Sequence, residues 1–183
     1  MEGVMGILRL RIKKGTNLAV RDMARGTSDP YVVATLGHQK SKTKMVDDNL
    51  NPVWEQDLTL TIKDPTVPIK LTVYDKDTFS EDDNMGTANV DVNPYVECLQ
   101  MGSDLDHLPD GTKLETVQPN EHNHLAEESY IIWNKDALTQ DMVLRLTDVE
   151  TGEIEVQIEI TPIEDHRLSI FQNQIGLHGS KST

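Results

Sequence analysis

Apolar and polar residues alternate along most of this chain with a period of two, the pattern of strands that bury one face. Ile7, Leu8, Leu10 and Ile12 interleave with Arg9, Arg11 and Lys13, so the first predicted strand carries one wet, basic face. Gly15-Thr16-Asn17 then turns the chain. Tyr31–Leu36 reads as a second strand between Pro30 and Gly37, and a hairpin at Gly37-His38 leads into a third over Lys40–Val46. Leu58–Ile62, Ile69–Tyr74 and Thr87–Val92 add three more. A late hairpin sets Val143–Thr147 against the strict alternation of Ile154, Val156, Ile158 and Ile160, with a turn near Thr151-Gly152. Eight short strands with turn signals about every ten residues predict an all-β, antiparallel sandwich. Helix signals are short and weak, and nothing repeats.

The even spacing breaks between Asn93 and Glu128, where apolar positions are few. Pro94, Pro109, Gly111 and Pro119 stand there among Asp104, Asp106, Asp110, Glu115, Glu121, Glu127 and Glu128. A stretch this long inside a compact domain reads as a functional loop or a disordered one. Tyr130–Trp133 at its end reads as a strand returning to the body. The expected organisation is therefore a single domain over 1–165, with a polar insertion at about 93–133 before the last strands, followed by a flexible tail over 166–183. Within that tail Leu168, Ile170, Phe171, Ile175 and Leu177 offer a weak docking segment.

Charge narrows the function. The chain has 31 acidic and 17 basic residues, a net −14, divided as +2 over residues 1–60 and −16 over the rest. That balance excludes nucleic acid as the main partner, because phosphate neutralisation needs a basic face. The single cysteine, Cys98, leaves no internal disulfide and fits a reducing compartment. No run approaches the eighteen apolar residues of a membrane span. The opening Met1-Glu2-Gly3 shows neither a signal peptide's apolar run nor the myristoylation pattern, so a soluble, cytoplasmic protein is expected.

The informative chemistry is the placing of aspartates at strand ends. Asp22 and Asp29 lie in the loop after the first strand; Asp75, Asp77 and Asp83 lie in the loop after Leu71-Thr72-Val73-Tyr74. A lone Asp in a turn usually caps backbone amides. Five in two loops that share one end of a sandwich would converge on a small volume. Two unit charges 4 Å apart repel by about 4 kcal/mol at an effective dielectric near 20. Such a cluster persists if protonated, well hydrated, or holding a cation. Hard oxygen donors without a facing His or Cys suit calcium. The spacing is not that of an EF-hand.

Gly15-Thr16-Asn17-Leu18, Asp22, Ser28-Asp29-Pro30-Tyr31, Asn51-Pro52-Val53-Trp54, Tyr74-Asp75-Lys76-Asp77 and Asp83-Asn84-Met85-Gly86, in that order, resemble the C2 domain. The resemblance covers about residues 5–93. It implies an eight-stranded sandwich whose end loops bind calcium through five aspartates, here all present, helped by the backbone carbonyls of Met23 and Lys76, with anionic phospholipid completing the shell. The late strand at Gly152–Ile160 looks like the type II strand order. Leu125-Ala126-Glu127-Glu128-Ser129 and the run Val149–Ile160 make the chain similar to the plant C2-domain abscisic-acid-related family. That likeness implies calcium-dependent docking on anionic membranes and recruitment of abscisic acid receptors of the PYR/PYL type to the plasma membrane, with the insertion as partner surface. It implies positive regulation of abscisic acid signalling, a YchF-type GTPase as the alternative partner, and the nucleus as a second location.

Other residues carry paired readings. Phe79, midway between Asp77 and Asp83, either inserts among lipid chains or folds back on its loop. Arg25 either meets a lipid phosphate or stays solvated. Lys40, Lys42 and Lys44 share one face of a strand, as a solvated edge or as a phosphoinositide groove. Trp54 is expected in the core. Enzyme signatures are missing: His122-Asn123-His124 sits in a polar loop, Cys98 has no basic neighbour, and no nucleophile elbow or phosphate-cradling loop occurs. The expected protein is not itself a catalyst.

Overall fold

The computed structural model describes residues 3–163; the tail segment from Leu168 to Leu177 lies outside the described residues. Ten strands form two antiparallel sheets. They are β1 (Gly6–Thr16), β2 (Pro30–Leu36), β3 (Gln39–Lys42), β4 (Val53–Ile62), β5 (Ile69–Asp75), β6 (Asp83–Val90), β7 (Thr112–Val117), β8 (Ser129–Asn134), β9 (Ala137–Arg145) and β10 (Glu153–Pro162). One sheet runs β4-β1-β10-β9-β8-β7 and the other β3-β2-β5-β6. The first strand lies beside the last, as the type II order requires.

The period-two reading holds where one face is buried. Leu8, Leu10 and Ile12 are fully buried, as are Ile154, Val156 and Ile158 opposite them, and they meet Val32, Ala34, Leu71 and Val73 across the sandwich. Side chains one position off face water, so β1 turns Arg9, Arg11 and Lys13 outward. That face is not open basic surface. Arg9 pairs with Glu159 and Arg11 with Asp57 at 2.9 Å, while Lys13 stands within 4 Å of both Asp141 and Glu155. Strands on either side of β1 thus neutralise it.

The insertion departs furthest from expectation. It folds as a short helix, α1 (Asn93–Leu99), then a 3-10 turn over Gly102–His107, then β7 and β8, which extend the six-stranded sheet beyond the eight strands expected. Its few apolar residues are the reason. Tyr95 and Ile131 are completely buried, and Leu105, Leu125 and Trp133 nearly so. The Tyr95 hydroxyl accepts a hydrogen bond from the Ile160 backbone N–H and donates to the Leu138 carbonyl, tying α1 to β9 and β10. The segment is part of the body rather than a loop upon it. Several strand limits also move: β4 starts at Val53, β6 at Asp83 and β9 at Ala137, each ahead of the expected start, and β3 ends at Lys42, after which Thr43 turns inward to hold the Val32 N–H with its hydroxyl. Trp54 is half-buried at the sandwich edge, its indole N–H donating to the Pro30 carbonyl.

Tyr95→Phe leaves the Ile160 N–H and the Leu138 carbonyl without their partner in a buried site. A loss of about 1–3 kcal/mol in unfolding free energy is expected, read by denaturant titration with an unchanged m-value.

Candidate metal centre

The aspartates converge because β2 and β5 pair in a register that sets Pro30 opposite Asp75, and β5 and β6 in one that sets Asp75 opposite Asp83. Asp29, immediately before Pro30, is therefore delivered to the end of β5. Its backbone N–H donates to Asp75 Oδ1 at 2.6 Å, and its carbonyl accepts the Lys76 N–H at 3.0 Å. Its own Oδ1 accepts the Asp48 N–H at 2.7 Å. One residue joins three loops, after β1, after β3 and after β5. Just upstream, the buried Ser28 hydroxyl donates to the Ala19 carbonyl and accepts the Arg21 N–H, closing the base of the first loop.

The remaining aspartates are held by local donors. Asp22 takes the amides of Ala24 and Arg25 and the Arg25 Nε at 2.9 Å, and this guanidinium, first by its hydrogen bond, holds the Asp22 carboxyl below the usual range. Asp77 accepts the Phe79 N–H at 2.9 Å, which lowers it likewise. Asp75 behaves oppositely. Burial pushes its pKa up, with Asp29, Asp83 and Asp77 adding like-charge repulsion, so four carboxylates act on one another there. As the side chains stand, no three His, Cys, Asp or Glu groups among the described residues close round a metal position. The donor set is nonetheless the one a hard divalent cation takes, oxygen throughout with no imidazole or thiol facing it.

Other expected residues fall as follows. Met23 and Phe79 stand on the two loops with side chains 82 % and 97 % exposed, so both apolar groups project from the aspartate end. Arg25 does not point freely into solution; it bridges Asp22 and Asp48. Lys40 and Lys42 face outward from β3, and with Lys44 they have no carboxylate within 4 Å among the described residues. Lys70 on β5 joins them, since Thr35 pairs with Lys40 on one side and Lys70 on the other. A stacked Tyr31–Tyr74 pair, centroids 5.6 Å apart, lies along the same outer face toward the aspartates.

Sequence reasoning passed over three groups. Asp82 accepts from the Tyr31 hydroxyl and from the Asp77 N–H, with Lys76 Nζ 3.5 Å away, and so shapes the loop that carries Phe79. Asp48 anchors Arg25. Glu150 holds Arg21 at 2.7 Å and brings the turn before β10 against the first loop. An acidic residue beside an already assigned aspartate was the only signal for Asp82; Asp48 and Glu150 gave none, being distant in sequence from their partners. The His pair is no metal site here: His124 Nδ1 accepts the Asn89 N–H, and His122 is exposed beside Glu121. Cys98 is buried, its thiol pushed up to about 11 by burial and then by Glu115 and Glu97.

This sandwich, with its acidic loop end, is a C2 domain, and the C2-domain family profile matches residues 6–108. Among solved structures, a C2 domain of plant extended synaptotagmin 1 superposes with a TM-score of 0.56 over 87 % of this chain and 97 % of that one, at 19 % identity. A calcium-bound pair of C2 domains from extended synaptotagmin 2 superposes at 0.57, covering 86 % of this chain and 46 % of that one, at 18 % identity. These likenesses carry the fold alone. The sequence relatives are nearer. Protein C2-domain ABA-related 3 of Arabidopsis thaliana is 52 % identical over 87 % of this chain and 92 % of its own. Protein C2-domain ABA-related 10 of the same plant is 50 % identical, covering 85 % of each. GTPase activating protein 1 of Oryza sativa subsp. indica is 47 % identical over 85 % of this chain and 92 % of its own. The chain belongs to the C2-domain ABA-related family.

Asp75→Asn keeps an oxygen for the Asp29 N–H and removes the crowded charge. It is expected to raise Tm by about 2–4 °C in chelator, the effect of roughly 1 kcal/mol in a domain this size. Because Asp75 titrates above its unfolded value, its charge costs stability fully above the folded-state pKa, and the cost fades as pH falls toward the unfolded value. The gap between variant and parent should narrow over that acid window, followed by thermal melts.

Proposed function

We propose that this chain is a calcium-dependent adaptor that docks on anionic phospholipid and brings an abscisic acid receptor of the PYR/PYL type to the plasma membrane. The observation that carries this reading is the delivery of Asp22, Asp29, Asp75, Asp77 and Asp83 to loops and strand ends at one pole of the sandwich, beside exposed Met23 and Phe79. Asp29 and Asp75 would hold the ion from the strand ends, Asp83 from the start of β6, and Asp22 and Asp77 from the loops, with the carbonyls of Met23 and Lys76 as further donors. Bound calcium supplies positive charge that both neutralises the carboxylates and attracts anionic headgroups. Asp22 and Asp77 would give up their present partners, Arg25 and the Phe79 amide. Arg25, so released, is free to meet a phosphate.

The charge distribution supports the same orientation. A chain of net −14 is repelled by an anionic surface unless the charge facing it is inverted or screened. The outer face of β1 is already neutralised by its neighbours. Lys40, Lys42, Lys44 and Lys70 are not, and each contributes roughly 1 kcal/mol near an anionic membrane. They lie on the sheet that also carries Asp75 and Asp83, so one tilt presents both. The reading is of a non-catalytic protein that is cytoplasmic until recruited, with the nucleus as a second location. A second reading rests on the rice relative's name, GTPase activating protein 1: the chain would stimulate hydrolysis by a GTPase, for which the family resemblance suggests the YchF type.

Sedimentation with phosphatidylserine vesicles tests the first reading. Binding is expected with calcium, is lost in chelator, and falls at least tenfold in an Asp75→Ala, Asp77→Ala chain that still melts cooperatively. Calcium-independent sedimentation, or full binding by that variant, overturns it. A triple Lys40, Lys42, Lys44 to Ala variant should lose more binding to phosphoinositide vesicles than to phosphatidylserine ones. Faster GTP turnover by a YchF-type partner, with or without calcium, would bring the second reading forward.

A further inference from the structure

The guanidinium of Arg25 uses all three of its nitrogens on two loops. Nε donates to Asp22 Oδ2 at 2.9 Å, while Nη2 lies 3.0 Å from Asp48 Oδ1 and Nη1 donates to Asp48 Oδ2 at 3.4 Å. The fork therefore spans the loop after β1 and the loop after β3. Both carboxylates it spans are fixed by backbone. The Asp22 carbonyl accepts the Gly26 N–H at 2.8 Å, closing the turn that carries Arg25. The Asp48 N–H is held by Asp29 Oδ1 at 2.7 Å, and the next amide, that of Asn49, is held by the Ser28 carbonyl. Between these anchors the Arg25 side chain, 58 % exposed, is the part that can move.

Asp22 differs from the other four expected ligands in what holds it. Among the described residues no Lys or Arg stands within 4 Å of Asp29, Asp75, Asp77 or Asp83. Asp29, Asp75 and Asp77 are met by neutral backbone amides. At Asp22 both oxygens are engaged. Oδ1 takes the backbone amides of Ala24 and Arg25, each at 3.2 Å, and Oδ2 takes Nε. The amides belong to the turn itself, so Oδ2 is the oxygen that a side-chain rotation alone uncovers. A guanidinium and a divalent ion are both positive and cannot share that oxygen at contact distance. An exposed pair is also weak and screened, so an ion of moderate affinity can displace it.

We propose that Arg25 is a tethered cation that competes with calcium for Asp22 and so raises the calcium concentration at which this pole loads. The inference rests on the calcium reading of the site. Loading requires Nε to leave Asp22 Oδ2, whereas Nη1 and Nη2 can stay on Asp48, so the fork opens by rotation of one side chain. The closed fork lowers the apparent calcium affinity by the fraction of chains in which Oδ2 is free. The coupling is reciprocal: calcium frees the guanidinium to the same degree that the guanidinium excludes calcium. A positive group beside exposed Met23 is thus released when calcium arrives.

Calcium titration of the full-length chain by isothermal calorimetry tests this with two substitutions at the one exposed position, both shown to be folded by melting curves. Arg25→Gln removes fork and charge and should tighten calcium binding about threefold or more. Arg25→Lys keeps the charge but offers a single nitrogen in place of the fork, and should tighten binding about twofold. Parent affinity in Arg25→Lys would mean that the charge acts only at a distance, and would overturn the proposal; so would unchanged or weaker binding in Arg25→Gln. A second readout is independent of affinity. The Arg25 Nε–H signal in proton–nitrogen spectra, identified by its loss in Arg25→Gln, should shift as calcium fills the site, and a signal unmoved at saturation overturns the competition. Calcium binding at one affinity by all three chains sinks this inference and leaves the calcium reading standing. No calcium binding by any of them removes that reading, and this one with it.

Discussion

A backbone amide donated to a buried carboxylate, Asp29 to Asp75, organises one whole end of this molecule. It exists because β2 and β5 pair with Pro30 facing Asp75, and it costs the protein a buried, crowded charge. Around it the loops are arranged to supply donors: the Asp48 amide to Asp29, Arg25 to Asp22, the Phe79 amide to Asp77, and the Tyr31 hydroxyl to Asp82. At Asp22, Asp77 and Asp82 that donor favours the carboxylate's charge. At Asp75 burial outweighs the one amide it receives. An end built this way is stable enough to fold and still favours an added positive charge.

The two outer faces of the sandwich answer to different electrostatics. On the six-stranded sheet, basic β1 lies between β4 and β10, with β9 next beyond β10, and these strands bring Asp57, Glu159, Glu155 and Asp141 against its cations. On the four-stranded sheet, the lysines of β3 and β5 are spaced by Thr35 and have no acidic partner within 4 Å among the described residues. A chain that is strongly acidic overall thus keeps a lysine row without acidic partners on the sheet whose strands also end in the aspartate loops. Exposed Met23 and Phe79 crown the same pole, while the segment whose sequence reads as a polar loop builds the far flank of the larger sheet.

That segment shows where one-dimensional reasoning stops. Between Asn93 and Glu128 the apolar residues are too sparse for a periodic signal, yet Tyr95, Leu105 and Leu125 each fill a place in the core that another element prepares. Burial there is decided by shape at the partner surface, and no local window contains that information. The β4 start at Val53 is similar: its first residues are mostly polar and exposed on the edge of the sheet, and pairing with β1 rather than alternation makes them strand.

The half-buried strands, the two-residue turn at Gly37-His38, the all-β class and the five loop aspartates are all legible in the chain before it folds. Each is written locally, as a period of two, a turn residue or a side chain's chemistry. Folding in three dimensions decided the company each residue keeps. Register brought Asp29 to Asp75, set Arg25 between Asp22 and Asp48, gave Tyr31 to Asp82 and Arg21 to Glu150, added Lys70 to the lysine face, and neutralised β1 from both sides. Those contacts join residues up to 150 positions apart, and strand pairing, which no local pattern encodes, is the physical reason they meet.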